Sequence, residues 1–273
     1  MIRKQDLEAE ILRIADRMEP TLRRAFLEAA DELKGQIGVG ALADMIERGD
    51  LLEAIARMED LPIDRTALTE ALATTAVRGA AAVGVGFDLI NEQAVRWAQA
   101  HAATEVKLIT EETRLAIRSI ILRGQTEGLT VHQQARQIRR IVGLTQRDAG
   151  AVQRFYEGLI SAGVKNAEAQ ADRMTRRLLR RRAENIARTE TIRASNMGVQ
   201  MGWVNSMEQG LLPQSSMKVW IATGDSTTCP ICAVLHGQVV GVQETFEVKE
   251  QAVTFTRTEG DFRVGETRPL PRP

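Results

Sequence analysis

The sequence is short of cysteine, of aromatic residues and of net charge, and each shortage narrows what the protein can be. Two cysteines in 273 residues cannot supply the disulfide framework of a small secreted domain, which favours folding in a reducing cytoplasm. Aromatic residues make up 4% of the chain, a balance typical of helices packed through small and aliphatic side chains. The 36 basic and 36 acidic residues cancel, so no global field indicates nucleic-acid binding.

Long apolar segments and common catalytic motifs are also missing. The N-terminal stretch MIRKQDLEAE has no apolar core of a signal peptide. No apolar run reaches the roughly 18 residues that a membrane span requires; the nearest, Ala76 to Ile90, is interrupted by Arg78 and Asp88. The sequence contains no nucleophile elbow, P-loop, dinucleotide fingerprint or HExxH motif. A membrane-spanning protein and several enzyme classes are therefore disfavoured.

The hydrophobic pattern that is present predicts a predominantly helical chain. Apolar residues recur at spacings of three and four through most of residues 5–206, with one long helix expected over about 166–206. Pro20 is expected to begin a second helix, because proline suits a first turn and spoils a helix interior. Thr130 and Thr145 follow glycine-containing breaks and are predicted to cap the next helices.

After Gly210 the composition changes to short candidate strands, over residues 217–222, 239–242 and 253–255. Residues 268–273 are proline-rich and are expected to be extended. The predicted fold class is therefore predominantly α in the N-terminal and central helices, with a small α+β C-terminal region. We divide the chain into an N-terminal helical region 1–90, a central long-helix region 91–206 and a C-terminal region 207–273.

The long central helix is rich in arginine on one side. Spacings of three and four bring several guanidinium groups to a single face. Such a face can bind DNA phosphates, with an affinity that falls as salt rises. Alternatively, the arginine-rich face is a solvated surface, or it pairs with acidic residues of another subunit. The candidate DNA-binding residues are Arg173, Arg176, Arg177, Arg180 and Arg181.

Glu190 interrupts the apolar side of the same helix. It falls in a lane with Ala183, Ile186 and Ala194, where an unpaired carboxylate would be very costly to bury. Arg193, three residues on, is a candidate partner, and so are backbone groups of the C-terminal region. We interpret Glu190 as a buried, paired residue that fixes the C-terminal region, with a catalytic or ligand-binding carboxylate as the alternative.

The C-terminal region holds a candidate metal site. Cys229 and Cys232 form a CxxC pair, and His236 follows four residues later. Two thiolates, an imidazole and an oxygen from Asp225 would suit Zn²⁺. A single CxxC is weak evidence, because structural zinc usually takes four protein ligands. Small buried or free thiols and a redox disulfide therefore stay open as alternatives.

Two blocks of sequence together carry a family resemblance. The first block is RAENIARTE at 182–190, followed by Arg193-Ala194, Asn196 and Gly198. The second comprises Lys218-x-Trp220, Asp225, Thr228-Cys229-Pro230-x-Cys232, Leu235-His236-Gly237-Gln238 and Phe246. In this order and at similar distances, the blocks resemble the head-morphogenesis proteins of phages, the minor head proteins of the Mu F type. The resemblance covers roughly residues 90–260, including Trp97-Ala98 with His101. Its structural signature is Arg188, Thr189, Glu190, Arg193 and Asn196.

The resemblance implies a non-enzymatic protein present in few copies near the portal. It implies assembly in the host cytoplasm, a place inside the procapsid or virion, and partners among portal, capsid or scaffold proteins and DNA. It also implies a role in head assembly and in DNA packaging or ejection. Relatives often end in a His-Pro-x-Cys-Arg-Cys-like segment after a proline-rich stretch, and this sequence stops at Pro271-Arg272-Pro273, where that segment would be expected. Either this member lacks the segment or the chain is a truncated form. Without the segment, the resemblance does not imply a complete four-ligand metal site.

Two other functions are compatible with the same residues. The first is a metal-dependent, hydrolase-like enzyme that uses His236, Asp225 and Glu190. The second is a zinc-knuckle module that binds DNA through the CxxC segment. An enzyme would need an open metal position within a cleft.

Overall fold

The computed structural model describes residues 4–36, 38–50, 64–84, 87–127, 129–222, 228, 230–248, 255–258 and 261–264. The chain divides into two compact units, residues 1–202 and 203–273. The helices are α1 (Lys4–Gln36), α2 (Val39–Arg48), α3 (Thr66–Ala81), α4 (Phe87–Glu127), α5 (Val131–Ile141), α6 (Gln146–Ser161), α7 (Ala167–Glu208) and α8 (Pro230–Leu235). The strands are β1 (Met217–Val219), β2 (Val239–Gly241), β3 (Phe255–Thr258) and β4 (Asp261–Val264). The predicted fold class is confirmed.

Helix α1 runs through Pro20 without ending, so the prediction of a second helix beginning there is wrong. A proline inside a helix removes one backbone hydrogen bond and costs about 3 kcal/mol. Here Met18 and Leu22, on either side of it, are buried, with exposed fractions of 5% and 1%. Burial of this apolar face offsets the cost of the proline. Sequence periodicity alone does not show how much burial a position will have.

The predicted caps at Thr130 and Thr145 are both present. The Thr130 hydroxyl accepts a hydrogen bond from the Gln133 backbone, and the Gln133 side chain accepts one from the Thr130 backbone, which forms a complete capping box. The Thr145 hydroxyl accepts a hydrogen bond from the Asp148 backbone at 3.2 Å. Each cap satisfies a donor that would otherwise be unpaired at the helix start. These caps fix where α5 and α6 begin.

Two groups of buried residues form most of the core of the first unit. One draws on α1, α2, α4, α5, α6 and α7 and contains Leu42, Ile117, Ile138 and Val152. The other joins α1, α3, α4 and α7 through small residues, among them Ala71, Ala98 and Ala194. Small side chains let helix backbones approach closely, so this second group holds α7 within a tight frame of helices.

Helices α3 and α7 cross at backbone contact. A Cβ atom added to Gly198 would overlap the backbone carbonyl of Ala76, and one added to Gly79 would overlap the backbone of Ser195. No side chain larger than a hydrogen atom fits at either position without a shift of backbone. The two glycines therefore set the distance between α3 and the signature segment of α7.

The second unit is built from short elements. Strands β1 and β2 pair antiparallel with Val219 opposite Val239, and β3 pairs antiparallel with β4. Trp220 meets Phe246 edge to face, with ring centroids 5.2 Å apart. Strands over 217–222, 239–242 and 253–255 were predicted, and β4 was not. The predicted proline-rich extension at 268–273 lies outside the described residues.

A search of the described helices found none with both the length and the hydropathy that a membrane span requires.

Candidate functional site

The five candidate DNA-binding arginines form one exposed face of α7, which we call the arginine face. Arg173, Arg176, Arg177, Arg180 and Arg181 are all exposed. Their spacing of three, four, seven and eight residues from Arg173 follows a single helical stripe about 12 Å long. Among the described residues, no ion pair is formed by any of the five. The face therefore presents uncompensated positive charge.

The opposite side of α7 explains why these five side chains point outward. Ala171 is fully buried in the larger core group, and Met174, Leu178 and Leu179 pack against that group. A helix with an apolar stripe turns that stripe to the core, which leaves the arginine stripe in solvent. The hydrophobic pattern of α7 thus fixes the orientation of the arginine face.

Three other arginines of α7 serve the structure instead. The Arg182 guanidinium donates a 2.8 Å hydrogen bond to the Gly143 carbonyl and lies over the Phe26 ring. Burial lowers the pKa of Arg182, and nearby carboxylates partly oppose this decrease. Arg188 reaches two carboxylates of α1 at 3.4 and 3.5 Å. Arg193 takes part in the cluster around Glu190. Charge on α7 is therefore divided between an outward face and inward contacts.

Glu190 is buried, with 3% exposure, in the apolar lane that the sequence indicates. One carboxylate oxygen accepts a 2.6 Å hydrogen bond from Arg193, and the other meets Nε2 of His101 on α4. Arg193 and backbone groups of the C-terminal region were the predicted partners. The two partners that the structure shows are Arg193 on α7, as predicted, and His101 on α4, which was not predicted. Glu190 thus ties α7 to α4 within the first unit.

Glu105 completes this group, which we call the Glu190 cluster: His101, Glu105, Glu190 and Arg193. Glu105 lies 3.8 Å from His101 and 3.7 Å from Arg193. The Trp97 ring stacks on the His101 imidazole, with centroids 4.9 Å apart, and holds its orientation. Burial raises the pKa of Glu105, and the charge of Glu190 raises it further, against the opposing effect of His101 and the nearby arginines.

Sequence reasoning missed His101 and Glu105 as partners of Glu190. The available signal is their spacing of four residues on α4, beside the buried lane of Ala98 and Ala102. Such spacing shows that two side chains share a helix face, but it does not show which distant helix they meet.

The remaining signature residues, Thr189 and Asn196, are exposed on α7.

The predicted zinc residues are only partly described. His236 is exposed, and its Nδ1 accepts a 3.1 Å hydrogen bond from the Ala222 backbone. Cys232 is half-buried in α8. Cys229 and Asp225 lie outside the described residues, so the zinc site stays a prediction.

Comparison with known proteins matches just over half of the sequence to one family. A family model described as "Phage Mu protein F like protein" matches residues 115–256, slightly more than half of the 273 residues. The match includes the arginine face and Glu190, whereas His101 and Glu105 precede it. No curated protein and no solved structure matches the chain.

Proposed function

The chain belongs to the Phage Mu protein F like family, and we propose that it is a minor head protein, present in few copies near the portal. The family assignment makes it a phage head morphogenesis protein, with a place in the procapsid or virion and with partners in capsid assembly. Its role is structural, in head assembly and in handling DNA during packaging or ejection.

The observation that carries the DNA-handling part of this proposal is the arginine face. Five exposed guanidinium groups on one stripe match a polyanion better than a small ligand. Contacts to phosphates are independent of base sequence, which suits a protein that meets whatever DNA is packaged. The helix that bears the face is fixed by its buried side, so the charges are held in place before DNA arrives.

A binding assay tests the face directly. We expect the protein to bind short duplexes of unrelated sequence with similar affinity. The logarithm of that affinity should fall with the logarithm of salt concentration, with a slope of about −4.5 if all five arginines contact phosphates. Changing Arg173, Arg177 and Arg180 together to glutamine should reduce the slope by roughly 2 to 3.

The matched control changes Arg139, Arg147 and Arg154 to glutamine. These three are also exposed, and they lie on α5 and α6 rather than on the arginine face. The control removes the same charge, so it should leave most of the binding intact. Equal losses in both triple variants would show that net charge, not the face, attracts DNA. No binding at low salt would assign the face to a protein partner.

The head-protein proposal has its own test, independent of DNA affinity. Quantitative mass spectrometry of purified procapsids and virions should find this protein at low copy number and associated with the portal. Its absence from both kinds of particle would contradict the proposal, whatever the outcome of the binding assay.

A further inference from the structure

We propose that His101, Glu105 and Glu190 form a binding site for one divalent transition-metal cation, between α4 and α7 in the first unit. One ligand atom from each residue lies within 4.8 Å of the others. The donors are one imidazole nitrogen and two carboxylate oxygens, a set that suits Zn²⁺ and its close analogues Co²⁺ and Mn²⁺. This site is separate from the predicted CxxC site.

The spacing of the three donors is close to what one ion needs. Around a tetrahedral zinc ion, ligands at about 2.1 Å lie roughly 3.4 Å from one another. Nε2 of His101 and the nearer oxygen of Glu105 are 3.8 Å apart, and a carboxylate of Glu190 contacts the same nitrogen. Small side-chain rotations would place all three around one point, with a fourth position left for water.

Low solvent exposure and the packing of neighbouring side chains favour cation binding by these three donors. The side chains of His101, Glu105 and Glu190 are 16%, 14% and 4% exposed, so water screens their charges weakly. Two carboxylates in one such site repel each other, and a divalent cation would neutralise both. Stacking on Trp97 fixes the imidazole plane, which reduces the reorganisation that binding would require.

Arg193 is the rival cation in this site. Its guanidinium lies 2.6 Å from Glu190, 3.3 Å from His101 and 3.7 Å from Glu105. Its side chain is 48% exposed, so it can turn into solvent when a metal ion enters. Metal binding and the Arg193 ion pair are therefore alternatives. A metal site predicts that removal of Arg193 tightens metal binding, which a purely structural ion-pair network does not.

The experiment uses Co²⁺ titrated into the full chain after removal of bound metal with a chelator. A background of Cys229→Ser, Cys232→Ser and His236→Gln removes both thiolates and the imidazole of the CxxC site. The spectrum should then lack the near-ultraviolet band of a Co²⁺–thiolate bond. We expect one Co²⁺ per chain. Glu105→Gln should weaken binding by more than about tenfold, since loss of an outer partner alone costs that much. Arg193→Gln should tighten it.

The matched control is Glu92→Gln, an exposed carboxylate on the same helix α4, which should bind Co²⁺ as the background does. No binding by the background, or equal affinity in the background and in Glu105→Gln, would overturn the proposal and leave the cluster as an ion-pair network. If Glu105→Gln loses its helical circular dichroism signal, Arg193→Gln decides: tighter binding supports the site, and equal or weaker binding overturns it.

Discussion

The two units of the chain differ in how completely they bury their apolar side chains. In residues 1–202, the described helices bury aliphatic side chains such as Leu22, Leu72 and Ile138 almost completely. In the described part of residues 203–273, Leu211, Met217 and Val239 are 71%, 60% and 55% exposed. Most large apolar side chains described in unit one are buried, with Ile160 at 54% exposure among the exceptions. Unit two exposes a larger share of its described apolar side chains, although Leu235 and Val242 are buried. Substitutions should therefore be felt far more strongly in the first unit.

The largest destabilisation of the first unit should come from replacing Gly198 with a residue that has a side chain. Gly198→Leu would force α3 and α7 apart, because any Cβ there overlaps the backbone of Ala76. We expect a loss of more than about 4 kcal/mol in the free energy of unfolding, or failure to fold. Chemical denaturation followed by circular dichroism measures the loss. Gly158→Leu on α6, where a Cβ meets nothing within 4 Å, should be neutral or slightly stabilising.

The next largest effect should come from Glu190. Glu190→Ala removes the buried carboxylate that His101 and Arg193 share and leaves Glu105 as their remaining partner. It should cost about 2 to 4 kcal/mol, measured in the presence of a chelator. Glu190→Gln should cost less, because it keeps a hydrogen-bonding group. Glu184→Ala, on the same helix, removes a half-buried 3.5 Å ion pair to Arg23 and should cost less than about 1 kcal/mol. Unchanged stability of Glu190→Ala combined with failed particle production would make Glu190 functional instead.

One substitution made in both units measures the difference between them directly. Val152, 1% exposed in the first unit, and Val219, 46% exposed in the second, are the matched positions. Val152→Thr buries a hydroxyl group and should cost about 1 to 3 kcal/mol. Val219→Thr should change stability by less than about 0.5 kcal/mol. Similar costs at both positions would show that Val219 is covered in the folded protein in solution.

A loss of the cap of α5 should have a smaller effect on the first unit than a change at Gly198 or Glu190. Thr130→Ala removes the side-chain half of the capping box and should cost about 1 kcal/mol. Thr130→Ser keeps the hydroxyl group and should restore nearly all of it. Thermal unfolding of the three proteins in parallel is the measurement. A loss as large as that of Glu190→Ala would mean that α5 begins the cooperative unfolding of the whole unit.

Local patterns predicted most of this architecture, because they depend on residues near one another in sequence. The helical periodicity, the two threonine caps and the outward arginine face follow from spacing alone. Pro20 was misjudged because a proline's local cost can be offset by packing from α3 and α7, which sequence does not reveal. His101 and Glu105 were missed for the same reason, since their partner lies on a helix distant along the chain.

The glycine crossing also sets an order of events during synthesis. Gly79 leaves the ribosome long before Ser195 and Gly198, yet the contact needs both helices. Helix α3 can pack early against α1 and α4, its neighbours in sequence. The alanine-lined side of α3 can be covered only after the second half of α7 has been synthesised. Contacts so far apart along the chain form late and slowly, so the nascent protein exposes that side until nearly three-quarters of it has been made.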